Sequence, residues 1–573
     1  MRQGVRRSTS SLILALACAG CGGPPRPEPA TLVLHKGKIV TVDDKKPEAQ
    51  ALAARGDTLV AVGTNEEIAA YIGPNTSVVD LAGRLVVPGF IEGHGHFTGV
   101  GQARINLNLT SVKNWDEVVD LVKAAVAKAK PGEWILGRGW HQSKWDKAPV
   151  PAVEGFPVHA SLSAASPDNP VVLEHASGHA AFGNAKAMAA AGVTRKTPNP
   201  PGGDVLKDAK GEPTGLFRET AAELLDDAYA KARAGMTAEA REAELRRILQ
   251  LADEEVVAKG ITSFQDAGTR FDTIDVMKKV ASEGKLGVRL WVMVNDTPEK
   301  MAQMLASYRV VDAYGKHLTV RAIKQVLDGA LGSRGAWLLE PYADMPSSSG
   351  LNTTPVPAVE EAARLALAND YQLCVHAIGE RANRETLNIF EAAYKTRPDK
   401  KDMRWRVEHA QHLAASDIPR FGQLGVIASM QGIHCTSDAI FVPARLGDKR
   451  SAEGAYVWQK LMKSGAIVSN GTDAPVEDVE PIANFYATVT RKLKDGSTFY
   501  PDQRMSRPEA LKSYTWNAAY AAFEEGSKGS LSAGKLADIT VLSKDIMVVP
   551  EDDIRSARVD YTIVGGKVLY ERK

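Results

Sequence analysis

The chain has almost no excess charge of either sign. Its 573 residues carry 70 Lys and Arg against 69 Asp and Glu, a formal net charge of +1. That balance argues against nucleic-acid binding through phosphate neutralisation, so no nucleic-acid partner is expected. Beyond the N-terminal segment there is no run of 18 or more apolar residues, so no membrane-spanning helix is expected there. Cysteine is scarce: Cys18 and Cys21 near the start, then only Cys374 and Cys435. Two thiols in a body of this size exclude a disulfide scaffold. What remains is ordinary globular composition, 44% hydrophobic and 24% charged. The length suffices for one large core and a smaller one.

Residues 1–30 read as a targeting segment and tether. Arg2, Arg6 and Arg7 form a positive start, and Leu12 to Ala17 form an apolar stretch too short to span a bilayer. Cys18-Ala19-Gly20-Cys21 and the following GGPPRPEPAT resemble a bacterial lipoprotein site, with Cys21 as the lipidated residue. Cys18 stands where such sites usually carry Leu. The resemblance implies export, with attachment to the membrane only through lipid and the protein facing the periplasm or cell exterior. An ordinary secretory signal and a twin-arginine route through Arg6-Arg7 are the alternatives.

Short strand-like runs fill residues 31–86 and return in 529–573, which predicts one small β-sandwich domain built from both termini. Between them, residues 87–528 alternate strands with helical patterns. Eight strand candidates are VVPGFIEGHGH, GITSFQDAG, GVRLWVMVN, VRAIKQVLDG, YQLCVHAIGE, RWRVEHAQ, GVIASMQGIH and AIVSNGTDAPV. One intervening helix has Thr237 as N-cap and closes at Gly260. Eight βα units predict an α/β fold, a (β/α)8 TIM barrel with its active site at the C-terminal strand ends. About 165 residues separate His96 from the second strand, far beyond a βα connection. An inserted subdomain over the barrel mouth is therefore expected at about 99–226.

His94 and His96 lie two apart at the end of the first run, so both point to one face and can share a metal ion. His376 and His409 end the fifth and sixth runs, and Asp473 ends the eighth. Alternation places Glu408 opposite His409, which reads as structural. Lys324 shares a face with Ala322 and Val326. If that face is the barrel interior, burial and nearby cations favour a neutral amine, which can react with CO2 to form an anionic carbamate.

HGH on strand one, Lys on strand four, His on strands five and six and Asp on strand eight resemble the amidohydrolase superfamily. IKQVLDGALGSR, HAIGERAN, EHAQH and SMQGIH look like its family 3, the YtcJ-like group that includes N-substituted formamide deformylases. The resemblance implies two divalent metals. His94, His96 and Asp473 would hold one, His376 and His409 the other, and carboxylated Lys324 would bridge them. Zinc fits the nitrogen and oxygen donor set best. The expected reaction is attack of a metal-activated hydroxide on the amide-type carbonyl of a small molecule, with Asp473 as base and then acid. His179 in the insertion is the candidate oxyanion donor. His434 and Arg334, with His141 a weaker candidate, are expected at the pocket rim, and Phe97 and Trp140 as an aromatic wall. A second copy of the chain is an allowed partner.

Lactone, phosphotriester or deamination chemistry at the same site is the alternative reaction, although deaminases of the superfamily generally lack the bridging Lys. A non-catalytic ligand-binding lipoprotein is the alternative of a different class.

Overall fold

The computed structural model describes residue 1 and residues 27–573; the expectations for the targeting segment and Cys21 lie outside the described residues. Eight parallel strands form the central sheet, in sequential order. They are β1 (Phe90–Gly95), β2 (Ile261–Thr269), β3 (Arg289–Val294), β4 (Leu318–Val326), β5 (Gln372–Ala377), β6 (Arg406–His409), β7 (Ile427–Gln431) and β8 (Val468–Gly471). Each overlaps one of the eight apolar runs, with β2 extending one residue and β4 two residues beyond its run. Helices between strands cover the outer face, so most strand residues are buried. The helix Ala238–Ala258 starts as its sequence predicts, with the Thr237 side chain accepting the Ala240 N–H.

The barrel closes between β8 and β1. The Asp473 N–H donates to His94 O at 2.8 Å, and the His96 N–H donates to Ala474 O at 2.6 Å. Two glycines permit this approach. A Cβ on Gly93 would lie 2.4 Å from Asn470 O, and one on Gly471 would lie 2.6 Å from His94 N. Gly93→Ala is therefore expected to force the seam apart and to destabilise the fold by about 1–3 kcal/mol. Urea unfolding of the variant against wild type measures this.

The termini meet in the small β domain. Leu85–Pro88 pairs in parallel with Lys38–Val40 and antiparallel with the C-terminal strand Ile539–Leu542. That six-stranded sheet faces a four-stranded one containing Leu32–His35, and Leu34, Leu52, Val86, Ile539 and Ile563 share the core between them. The segment after β1 carries its own six-stranded sheet, from Leu107–Asn108 to Pro213–Glu219. Arg138 in that sheet hydrogen-bonds Pro475 O just beyond β8, tying the insertion to the barrel mouth. Among the described residues no helix is long and apolar enough to cross a membrane.

Candidate metal centre

Strand ends bring the sequence-marked side chains together at the C-terminal mouth. His96 Nε2 lies 3.2 Å and His94 Nε2 3.5 Å from Asp473 Oδ1. These three donors lie within 4.8 Å of one another. The His409 ring centroid is 4.6 Å from that of His94 and 4.5 Å from that of His376. A second triad of donors joins His409 and Asp473 to His434, so His434 stands nearer the centre than the rim.

Lys324 is 3% exposed and shares the barrel interior with Ala322 and Cys374. Burial is the largest cause holding its pKa below the ordinary lysine value, against the carboxylates of Glu408 and Asp473. Burial likewise lowers His94 to about 4 and holds His376 and His409 well below 6.5. All three are then neutral at pH 7, the form that binds metal. Burial alone would raise the Asp473 pKa. The close approach of His96, His94 and His409 outweighs it and holds Asp473 ionised, well below the usual range.

These side chains fit divalent ions. His94 Nε2, His376 Nε2, His434 Nε2 and Asp473 Oδ1 are buried with no hydrogen-bond partner. Such orphaned polar atoms are costly unless a ligand satisfies them. Their neighbours fix the rings. His409 Nδ1 lies 2.8 Å from Gln431 Oε1, which leaves His409 Nε2 free for the site.

The face of Glu408, though not its structural role, is a correction to the sequence reading. Glu408 faces the interior, where its carboxylate hydrogen-bonds His94 Nδ1 and meets Arg406 Nε at 2.7 Å. His409 nevertheless reaches the same site because its φ of +77° breaks strand alternation. One strand end thus delivers both side chains.

The insertion contributes a pair. His179 Nδ1 lies 2.7 Å from Glu219 Oε2, and the His179 ring lies 4.8 Å from that of His376. Burial alone would lower the His179 pKa, but the Glu219 carboxylate reverses the sign and raises it. Glu219 itself sits at φ +52°. Its carboxylate occupies space that a Cβ on Gly329 or Gly335 would fill. No sequence motif marked Glu219. Asp328 lay inside IKQVLDGALGSR but was given no role; it accepts N–H bonds from Trp337, Ile378 and Gly379 and binds the β4 and β5 loops together.

Three expected pocket residues lie elsewhere. Trp140 is fully buried in the insertion's own core, its Nε1 donating to Leu173 O at 2.9 Å. Phe97 is fully buried against Phe264, with ring centroids 5.2 Å apart. Packing inside each subdomain outcompetes exposure of these rings. Arg334 pairs with Asp344 at 3.0 Å, and neither cavity at the mouth is lined by it. His141 does face the smaller cavity, stacked on Phe441.

The sequence profile of the amidohydrolase family matches residues 77–570. The chain belongs to that family. It is 33% identical to Protein LONG AFTER FAR-RED 3 of Arabidopsis thaliana, over 96% of this chain and 93% of that protein. It is 26% identical to the N-substituted formamide deformylase of Arthrobacter pascens, over 94% of this chain and 98% of that protein. Among solved structures, an uncharacterized metal-dependent hydrolase from Pyrococcus horikoshii aligns with a TM-score of 0.72 at 25% identity. That alignment covers 91% of this chain and 99% of the other. Family and neighbours together support a metal-dependent hydrolase on a TIM-barrel scaffold.

Proposed function

We propose that this amidohydrolase cleaves an amide-type C–N bond of a small molecule, other than a peptide bond, using two divalent ions. The supporting observation is the set of unpartnered, buried His and Asp atoms converging at the barrel mouth. His94, His96 and Asp473 would hold one ion, His376 and His409 the other, with carboxylated Lys324 between them. Zinc suits this donor set. When bound, the ions would supply Lewis acidity for a carbonyl and an acidified water.

The chain's own residues do the rest. Asp473, ionised and 6% exposed, takes a proton from water and returns it to the leaving nitrogen. His179, oriented and with its pKa raised by its pairing with Glu219, offers an N–H to the oxygen on which charge develops. Glu408 and Gln431 keep the His94 and His409 rings in orientation. Elemental analysis of the mature protein, joined to a hydrolysis panel of amides, lactones, phosphotriesters and peptides, tests the reading. Two ions per chain and a preference for non-peptide amides are expected; at most one ion, or a preference for another class, would overturn it.

Glu219→Ala should lower kcat by about 10²–10³-fold, the cost of losing one donor to the developing oxyanion, with metal content unchanged. Steady-state kinetics alongside metal analysis separates this from collapse of the centre. The targeting segment supports attachment through Cys21, so Cys21→Ser should move the protein from the membrane fraction to the soluble fraction on cell fractionation.

A further inference from the structure

His409 and His434 lie side by side at the mouth, their ring centroids 6.3 Å apart and their planes 19° from parallel. A glutamine holds each ring at Nδ1, but through opposite atoms. Gln431 turns its amide oxygen to His409, so His409 Nδ1 donates to Oε1 at 2.8 Å. His409 thus carries its hydrogen on Nδ1 and presents a bare Nε2. Gln411 turns its amide nitrogen to His434, and that N–H donates to His434 Nδ1 at 3.0 Å. An amide nitrogen can only donate, so Nδ1 accepts and the hydrogen of the His434 ring is on Nε2. The two neighbours are opposite tautomers.

This difference separates their chemistry. A metal ion binds the lone pair of an unprotonated ring nitrogen. His434 has none free, because Gln411 occupies the one on Nδ1 and Nε2 holds the hydrogen. Yet the side chain points into the centre. His434 is 5% exposed, and it lines the smaller cavity together with His179, His376, His409 and Asp473. A nitrogen of its ring, one of the His409 ring and a carboxylate oxygen of Asp473 lie within 4.8 Å of one another. Its Nε2 is buried and has no partner among the described residues. A buried N–H of this kind requires an acceptor, and here that acceptor must arrive with the substrate.

We propose that His434 is a second donor, beside His179, to the substrate oxygen on which charge develops, and is not a metal ligand. One donor comes from the insertion and the other from the segment after β7, so two independently held N–H groups meet the charge. Gln411 is the positioning residue that keeps the hydrogen on Nε2. The inference rests on the hydrolase reading above and holds for a carbonyl or a phosphoryl oxygen alike.

The test uses the full chain loaded with cobalt(II) and two variants, His434→Ala and His434→Gln. Glutamine removes the ring but keeps an amide N–H that can donate. Cobalt content and the visible absorption spectrum should match wild type in both, because neither loses a ligand. His434→Ala should lower kcat on panel amides such as N-acetylbenzylamine by about 10²–10³-fold, the cost of one oxyanion donor. KM should change little, because the bond is gained in the transition state. His434→Gln should regain part of the rate.

Calorimetry with methylphosphonate, a tetrahedral anion, reads the donor without turnover. His434→Ala should bind it at least about tenfold more weakly, the size of a hydrogen bond to a charged group, and His434→Gln should recover part of that loss. A lost ion or an altered cobalt spectrum in both variants would make His434 a ligand and overturn the inference. So would unchanged methylphosphonate binding in His434→Ala. A wild type that hydrolyses no amide of the panel, with the binding loss intact, would sink the amide reading and leave His434 as the donor.

Discussion

Asp473→Asn is expected to lower kcat by about 10²–10⁴-fold, the range for loss of a general acid–base group. Asparagine keeps the shape of the side chain and an oxygen that can face a metal. It also tolerates the left-handed backbone that residue 473 adopts at φ +59°. The Asp473 N–H bond to His94 O that closes the barrel is untouched. The substitution therefore removes the proton acceptor while sparing the scaffold. Metal content must be measured in the same preparation, because Asp473 Oδ1 lies 3.2 Å from His96 Nε2. A fully metallated variant with near wild-type kcat would take Asp473 out of the proton transfer.

Lys324→Ala should abolish most activity and weaken the second ion by more than the roughly 10–100-fold typical of an outer-shell change. The proposed carbamate supplies two oxygens that no neighbour can replace. Cys374 stands beside Lys324 in register on the neighbouring strand, and alanine offers no ligand in place of the amine. The fold itself should survive, since removing a buried amine also removes its desolvation cost. Short carboxylates or bicarbonate should restore part of the metal content and the rate. A variant with two tightly held ions and an unchanged rate would refute the bridge.

Much of the architecture was legible because burial on both faces writes parallel strands as short apolar runs, and all eight barrel strands overlap such runs. The pairing of His94 with His96 followed from period-two geometry alone. Alternation grouped Lys324 with Ala322 and Val326, and the structure decided that this face is the interior; the register irregularity between β3 and β4 falls before Ala322. The joining of Leu85–Pro88 to Ile539–Leu542 was legible as strand text returning at the C-terminus.

Other features depended on contacts that no local pattern records. Period-two reasoning failed at Glu408 because it assumes an extended backbone, and His409 turns back into the site at φ +77°. Phe97 and Trp140 show a second limit. An aromatic residue beside a metal motif has the same sequence signature whether it lines a cavity or fills a core. Only three-dimensional packing placed Phe97 against Phe264 and Trp140 against Phe182. Arg334 was claimed by Asp344, ten residues away across a folded loop. Glu219 reaches His179 from another strand of the insertion, into space left by two glycines beyond β4. The sequence by itself determined which strands form the barrel and which ligand-type residues stand at their ends, because both depend on local periodicity. The tertiary structure alone decided what supports those residues and the shape of the space above them, because both arise from segments far apart in the chain.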